Sequence, residues 1–428
     1  MRLIKNPKRE NWSKILQRPT KTVDDIESIV LEVFENVKTN GDAAISEYTF
    51  KFDKVQLDTL IVSETEIKEA CNQVPDQLKN AIQLAKSNIE KFHTAQKTSP
   101  VTLNTMEGVA CWQEKRPIQK VGLYIPGGTA PLFSTVLMLA VPATIAGCKE
   151  IVLCSPPNKE RKIANEILYT AQLCGVTKII KVGGIQAIAG LTFGTDAIPQ
   201  VYKIFGPGNQ YVTVAKQLAT KYGVAIDMPA GPSELLVMAD ESANAAYVAS
   251  DLLSQAEHGS DSQVVLVTTS KSFAEAVNDE VYKQLDNLPR KEMAVAAINN
   301  SKSIVVNNFE TALALIDEYG PEHFIIATVN DNFFADNIGN AGSVFIGNYT
   351  PESAGDYASG TNHTLPTNGF SKAYSGVNLD SFMKSITFQK ISQRGIAAIG
   401  PAIELMAEAE GLQAHKNAVT LRLKDLES

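Results

Sequence analysis

Histidine is scarce in this 428-residue sequence, and most of its histidines have acidic neighbours. Histidine changes its charge near neutral pH and is a common metal ligand, so repeated histidine–acid neighbourhoods predict a shared metal or catalytic site. The alternative is that each is an unrelated surface pair. His93 lies in a helical pattern, and we interpret it as an ordinary helix-surface residue. The other four neighbourhoods are Glu257–His258, Glu322–His323, Asp356 with His363, and Glu410 before His415.

The stretch "SQAEHGSDSQ", residues 254–263, has the pattern of a helix end, with Gly259 in the position after the helix. Gln255 and His258 are three positions apart, so a helix presents both on one face. Mixed nitrogen and oxygen ligands without cysteine favour a catalytic Zn²⁺ with an open position over a closed structural zinc. Glu257 points elsewhere and is not assigned to the metal. The competing interpretation is that His258 only interacts with the helix dipole.

A second acid–histidine pair, Glu322–His323 in "YGPEHFII", precedes an apolar run typical of a buried strand. Adjacent residues of an extended chain point in opposite directions, so both side chains reach one cavity only if the backbone is not a strand there. The preceding Gly-Pro makes that possible. A glutamate and a histidine so placed could act as two proton carriers, and the alternative is a solvated loop pair.

The last of these neighbourhoods, "AEAEGLQAHKNAV", contains a predicted helix break at Gly411. Glu410 stands at the end of one helix and His415 near the start of the next. Residues on either side of such a break can converge on one ligand, but the pattern alone is a weak signal.

The glycine-rich turns raise the question of a dinucleotide. The fingerprint G-x-G-x-x-G needs a third glycine for close helix packing, whereas "GPGNQY" has Tyr211 in that place. Asp227 ends the next strand, where a ribose-binding acid would stand. The turns therefore leave two interpretations open: an atypical nucleotide site, or tight strand–helix turns without a ligand.

The secondary-structure elements that must position these residues alternate from residue 118 onward, in the order strand, turn, helix. Short runs rich in Val and Ile stop at Gly or Pro, and helical patterns separate them, which predicts parallel sheets in two successive α/β units. Residues 1–100 are predicted to be mostly helical, 107–119 a linker, and the tail from 380 helical.

Composition narrows the class of protein. The formal net charge of −8 argues against a nucleic-acid or anionic-membrane partner. None of the five cysteines forms a C-x-x-C pair, so a structural zinc knuckle is not expected. Their odd number fits reduced cytosolic thiols. The N-terminus has no apolar signal-peptide core, and Pro142 interrupts the longest apolar run, so we expect a cytoplasmic protein without membrane segments.

Several long motifs along the chain do not belong to a general fold. They are "IFGPGN", "AIDMPAGPSE", "DLLSQAEHGSDSQ", "YGPEHF", "ESAGDYASGTNHTLPT" and "AHKNAVTLR". Together they resemble the histidinol dehydrogenase family, whose order they follow along nearly the whole chain. Phe324 and Thr364 depart from the family's commoner Leu and Val, and "SGVNLDSF" departs slightly from the usual form.

The resemblance implies an NAD-dependent, zinc-containing oxidoreductase that converts L-histidinol through L-histidinal to L-histidine, as a cytoplasmic homodimer with shared active sites. It implies these metal ligands: Gln255, His258, Asp356 and, from the partner subunit, His415. It implies acid–base roles for Glu322 and His323. The implied substrate contacts are Ser233, Gln255, His258, His323, Asp356, Glu410 and His415. The implied cofactor contacts are Tyr124, Gln186 and Asn209.

We accordingly predict an α/β fold with two Rossmann-like parallel-sheet domains, a helical N-terminal segment and a small helical C-terminal extension. The predicted division is 1–22, 23–106 plus 235–378, 118–234 with the nucleotide-binding turns, and 379–428 reaching the partner subunit. Two other functions were weighed. A zinc hydrolase of an amino-acid derivative leaves the glycine turns without a purpose, and a non-catalytic metal-binding protein leaves the Glu322–His323 pair unexplained.

Overall fold

The computed structural model describes residues 1–19, 24–127, 131–229 and 231–427. Its residues form two compact units: Met1–Gln96 with Ile118–Phe382, and Lys97–Pro117 with Met383–Ser428. The predicted boundary between 22 and 23, and residues 128–130 of one glycine-rich turn, lie outside the described residues. Among the described helices, none is long and apolar enough to cross a membrane.

Strands occur along most of the chain. In the described ranges they are β1 (Arg2–Lys5), β2 (Val101–Met106), β3 (Val109–Pro117), β4 (Lys120–Tyr124), β5 (Glu150–Cys154), β6 (Lys178–Ile180), β7 (Lys203–Phe205), β8 (Ala225–Ile226), β9 (Glu234–Ala239), β10 (Gln263–Thr268), β11 (Lys302–Val305), β12 (His323–Ala327), β13 (Ser343–Ile346) and β14 (Met383–Ile391).

Helices alternate with most of these strands. They are α1 (Trp12–Ile15), α2 (Asp24–Asn40), α3 (Asp42–Tyr48), α4 (Glu64–Gln73), α5 (Asp76–Ala95), α6 (Phe133–Ala146), α7 (Asn165–Leu173), α8 (Gly184–Phe193), α9 (Gln210–Lys221), α10 (Ala245–Ala256), α11 (Lys271–Leu285), α12 (Lys291–Asn299), α13 (Phe309–Tyr319), α14 (Asp331–Asn337), α15 (Glu352–Tyr357), α16 (Gln393–Ala409) and α17 (Gln413–Glu427).

One sheet of the larger unit is parallel throughout, with the strand order β1-β11-β10-β9-β12-β13. Its central strands β9 and β10 are buried along their whole length, as their continuous apolar runs predict. Leu235 and Val237 face a core shared with α10 to α12, whereas Leu236 and Met238 face a core shared with α1 and α13. The strand β1 was missed because four residues are too few to show a period.

The other sheet of the larger unit is also parallel, with the order β6-β5-β4-β7-β8. Helices α2, α3, α8 and α9 share one core on it, and α5, α6 and α7 share another. Helix α6 is apolar on nearly all sides, and its residues from Ser134 to Ala143 are all buried. The helices of residues 24–95 therefore cover this second sheet.

In the smaller unit, β14, β3 and β2 form an antiparallel sheet, and α16 packs against α17. The expectation of a linker at 107–119 is therefore wrong, because most of that segment is the central strand of this sheet. The tail from 380 is helical only after β14. Alternation of polar and apolar residues in "VACWQEKRP" is weak, which explains why the strand was not predicted.

The predicted fold class, an α/β fold with parallel sheets and helices near both ends, is confirmed. The division into domains stays a prediction. The segment 23–106 was grouped with 235–378, yet its helices pack mainly on the second sheet. Helix α5 also contacts the segment 235–378, because the Asn88 side chain donates a hydrogen bond to the Ala358 carbonyl at 2.9 Å.

Candidate active site

Glu322 and His323 stand where β12 begins, beside the beginning of β9. Gly320 ends α13 with a left-handed backbone (φ 61°), and Pro321 follows, so the chain enters the strand through a turn. Glu322 is 6% exposed and His323 3% exposed. Their burial excludes a solvated loop pair.

The main chain of one residue, Glu234, holds both side chains. Its N–H donates to Glu322 Oε2 at 2.9 Å, and its carbonyl oxygen lies 3.3 Å from His323 Nδ1. A carbonyl can only accept, so Nδ1 carries the hydrogen. His323 Nε2 is buried without a hydrogen-bond partner among the described residues. Nε2 is therefore the nitrogen available to a ligand.

Helix α15 places two more carboxylates around the same imidazole. Glu352 Oε1 lies 3.7 Å from His323 Nδ1, and Asp356 Oδ1 lies 3.6 Å from His323 Nε2. The two acids are four residues apart, so one face of this short helix carries both. His363 Nδ1 is 2.9 Å from the Asp356 carbonyl oxygen, which ties the following loop to the helix.

Burial and charge control the protons of this cluster. Burial raises the pKa of Glu322 to about 8. Burial also raises the pKa of Glu352, although the neighbouring His323 opposes the shift. Burial disfavours the imidazolium, but Glu352, Glu322 and Asp356 outweigh it and raise the pKa of His323. An imidazolium at His323 requires ionised neighbours, so the charge of the histidine and the charges of the acids depend on one another.

Gln255 and His258 lie together at the end of α10, on the face that their spacing predicts. Gln255 is buried, and its Nε2 is 3.3 Å from His258 Nδ1. Its Oε1 is buried and has no partner within the described ranges. His258 follows the helix end and is exposed in the wall of a cavity.

These groups suit a divalent metal ion. His323, Glu352 and Asp356 offer ligand atoms that all lie within 4.8 Å of one another. The set implied by the resemblance shares Asp356 and adds Gln255 and His258. The unpartnered Gln255 Oε1 and the absence of cysteine from either set fit Zn²⁺ at a catalytic site.

A cavity of about 360 Å³ adjoins the cluster, large enough for a small amino alcohol. Ser233, predicted to contact substrate, lies in its wall. The other lining residues are Pro126, Gly127, Leu132, Ser134, Thr135, Pro207, Gly208, Asn209, His258, Arg290, Glu322, His323, Asp356, Tyr357 and His363.

A second cavity, of about 750 Å³, is lined by all three predicted cofactor contacts: Tyr124, Gln186 and Asn209. The Tyr124 hydroxyl accepts a hydrogen bond from the Gly184 N–H at 3.1 Å. Asn209 caps α9 by accepting from the Val212 N–H at 3.1 Å, which leaves its side-chain NH₂ as a donor. Gln186 Oε1 is buried without a partner in the described structure. Amide and hydroxyl groups beside the N-termini of α8 and α9 fit a dinucleotide.

The two cavities adjoin, because Gly127 and Asn209 line both. The larger one opens at the carboxyl ends of β4, β6 and β7. The smaller one lies between those ends and the amino ends of β9 and β12. A ligand in one cavity can therefore meet a ligand in the other.

Two sequence interpretations are corrected by burial. Asp227 is not a free ribose-binding acid, because its carboxylate pairs with Lys216 and accepts from the Gly206 N–H at 2.8 Å. His93 is not a surface residue, since it is 0% exposed. Its Nδ1 lies 2.9 Å from the Ile89 carbonyl oxygen, and its Nε2 lies 3.4 Å from the Asn362 amide nitrogen.

Glu410 and His415 belong to the smaller unit. Glu410 ends α16, Gly411 breaks the helix with φ 73°, and His415 lies in the first turn of α17. Both side chains are exposed. The predicted helix break is present, but the structure does not bring these residues together with the other predicted ligands inside one unit.

Comparison with known proteins identifies the family. A family model described as histidinol dehydrogenase matches residues 16–423. The chain belongs to the histidinol dehydrogenase family. Its expected class, an oxidoreductase, is thereby confirmed.

Individual histidinol dehydrogenases match over the full length. The chain is 58% identical to the enzyme of Bacteroides thetaiotaomicron, over 100% of both chains. It is 53% identical to that of Escherichia coli, over 97% of this chain and 96% of the other. The crystal structure of histidinol dehydrogenase from Elizabethkingia anophelis superposes with a TM-score of 0.97 at 56% identity, covering 100% of this chain and 99% of that one.

Two carboxylates of this histidinol dehydrogenase family member were missed by sequence reasoning. Glu352 lies inside a quoted motif, and its spacing from Asp356 was a usable signal. Asp53 lines the larger cavity, where burial raises its pKa to about 6 and Gln186 Nε2 lies 3.5 Å from its Oδ2. No local pattern marks Asp53, because it meets the cavity only through tertiary packing.

Proposed function

We propose that this chain catalyses the NAD-dependent, zinc-containing oxidation of L-histidinol through L-histidinal to L-histidine, the last steps of histidine biosynthesis. The observation that carries the proposal is the pair of adjoining cavities. One is lined by an acid–histidine cluster and the other by the residues expected to contact NAD. Hydride transfer requires this adjacency of substrate and nicotinamide.

In the first step, His323 accepts the proton of the substrate alcohol. His323 lines the smaller cavity, and its Nδ1 is held by the Glu234 carbonyl. Its Nε2 lacks a partner among the described groups and is therefore the nitrogen left to accept the proton. The neighbouring acids stabilise the imidazolium that results. Bound NAD⁺ would accept the hydride from the same carbon.

In the second step, Glu322 activates the water that adds to histidinal, and His323 accepts a proton again as the hydrate loses its hydride. A buried carboxyl with a raised pKa is a stronger base when ionised than an exposed one. The Glu234 N–H fixes one oxygen of Glu322, which leaves the other to meet water.

Gln255, His258 and Asp356, with His415 of a partner subunit, would hold the zinc ion. A bound ion would supply Lewis-acid chemistry and help to orient the imidazole and amine of the substrate. Ser233 and the partner's Glu410 would contact the substrate's polar groups. We propose a cytoplasmic homodimer, as the family resemblance implies. The exposure of Glu410 and His415 leaves both side chains accessible to a partner subunit.

The test is NADH formation, followed by its near-ultraviolet absorbance, with purified protein, NAD⁺, Zn²⁺ and L-histidinol. We expect NADH to form and L-histidine to accumulate. A chelator should abolish the activity, and Zn²⁺ should restore it. No NADH from the zinc-loaded protein would refute the proposal.

A further inference from the structure

Arg18 links the N-terminal segment to the two chain segments that carry the acid–base pair. It follows α1, far in sequence from every residue assigned above, and its side chain is 14% exposed. Its guanidinium contacts the end of α13 on one side and Glu234 on the other.

The contacts to the end of α13 are specific. Arg18 Nη2 donates to the Tyr319 carbonyl at 2.8 Å and to the Gly320 carbonyl at 3.3 Å. The guanidinium carbon lies 3.9 Å from the centre of the Tyr319 ring, a cation–π contact. Only Pro321 separates these carbonyls from Glu322.

The contact to β9 is an ion pair between Arg18 Nε and Glu234 Oε2. The side chain of Glu234 is 2% exposed, and its Oε1 has no partner within the described ranges. The main chain of Glu234 is the group that binds both Glu322 and His323. The guanidinium therefore spans the starts of β9 and β12, where the acid and its donor must be kept at a fixed distance.

We propose that Arg18 is a positioning residue for the Glu322–His323 pair. A planar guanidinium can donate to the carbonyls and the carboxylate at the same time and stack on the ring, whereas an ammonium cannot. A displacement of either catalytic group by about 1 Å would cost on the order of a hundredfold in rate. This inference rests on the proposed function, since it concerns the same reaction.

Two variants are informative. Arg18→Lys keeps the charge but loses the planar guanidinium and its several donors. The double variant Arg18→Met with Glu234→Gln removes the ion pair and leaves no unpaired buried charge. The matched control is Lys302→Met. Lys302 Nζ also contacts the N-terminal segment, at the Gln17 carbonyl 3.4 Å away.

We expect both Arg18 variants to lose at least about tenfold in kcat, with the KM for NAD⁺ and the zinc content unchanged. The Lys302→Met control should keep its kcat. Wild-type kcat in both Arg18 variants, or a loss of thermal stability with unchanged kcat per folded molecule, would overturn the inference. If wild-type protein forms no NADH, the proposed function fails first and this inference fails with it.

Discussion

At the scale of single residues, the acid–base pair depends on what surrounds it. Glu322 and His323 are sequence neighbours, yet Glu234, Glu352 and Asp356 determine their hydrogen bonds and charge. Sequence reasoning identified the pair from residue types and from the Gly-Pro turn. The direction of each pKa shift depends on distances in space between charged groups. The spacing of residues along the chain does not give these distances.

The two members of the pair should be separable by substitution. Glu322→Gln keeps the size of the side chain and an oxygen for the Glu234 N–H, but it cannot activate water. We expect oxidation of L-histidinal to fall by on the order of a hundredfold or more, while oxidation of L-histidinol to the aldehyde changes by only a few-fold. NADH formation from each substrate separately measures this.

The matched control is Glu257→Gln, in the other adjacent acid–histidine pair. It should leave both half-reactions nearly unchanged, since no metal or proton role is assigned to Glu257. Equal losses of the two half-reactions in Glu322→Gln would contradict the division of roles.

The burial of His93 predicts that the stability of the folded protein depends on pH. Burial lowers its pKa below the ordinary value of 6.5, so the folded state binds a proton less readily than the unfolded state. The folded protein should therefore lose stability as the pH falls from 6.5 towards the lowered pKa. His93→Gln should cost about 1 kcal/mol above pH 6.5 and less below it. Urea unfolding at several pH values tests this, and a constant difference between the proteins would contradict it.

At the scale of elements, α15 is a short helix with two of the four groups around His323. Gly355 lies between those groups, and a Cβ there would meet Phe345 Cε1 of β13 at 2.6 Å. The absence of a side chain allows the helix to lie close to the sheet. This close approach explains why a glycine stands in the middle of α15.

Gly355→Ala should push α15 away from β13. We expect a loss of about 1–3 kcal/mol in the free energy of unfolding, together with weaker zinc retention because Asp356 moves. Metal analysis after dialysis and thermal unfolding measure the two effects. Adding Phe345→Leu should restore room and recover part of both, and no recovery would argue against the steric cause.

Elements with strong periodicity or continuous apolar runs were predictable. Strands β9, β10 and β12 and helix α10 lie where the sequence predicts them, because each is defined by its own residues. Strands β1 and β3 were missed because the first is too short and the second alternates too weakly to show a period. Each also pairs with a segment far along the chain, β11 and β14 respectively. Local propensity contains no information on such partners.

At the scale of the whole molecule, the larger unit contains two parallel sheets. Opposite ends of their strands face the two adjoining cavities. One sheet contributes its carboxyl ends, with Tyr124 and Asn209, and the other its amino ends, with Ser233 and His323. From the glycine-rich turns alone, an atypical nucleotide site could not be distinguished from tight strand–helix turns without a ligand. The cavity beside them supports the first interpretation.

The proposed sharing of sites between subunits can be tested by complementation. His258→Ala and His415→Ala should each be inactive as homodimers. After mixing under conditions that exchange subunits, each heterodimer would contain one site with both histidines, so activity should partly return. A mixture of His258→Ala with His258→Asn is the control and should stay inactive, and failure of the first mixture despite proven exchange would exclude shared sites.

The sequence by itself determined the family, the α/β class and the acid–histidine pairs, because these depend on residue types, spacing and local periodicity. Tertiary structure alone decided that His93 is buried, that Asp227 is paired with Lys216, and that Glu352 and Arg18 lie beside the segments that carry Glu322 and His323. The physical reason is that desolvation and Coulomb interactions depend on distance in space. Residues separated by hundreds of positions become neighbours only when the sheets and helices pack.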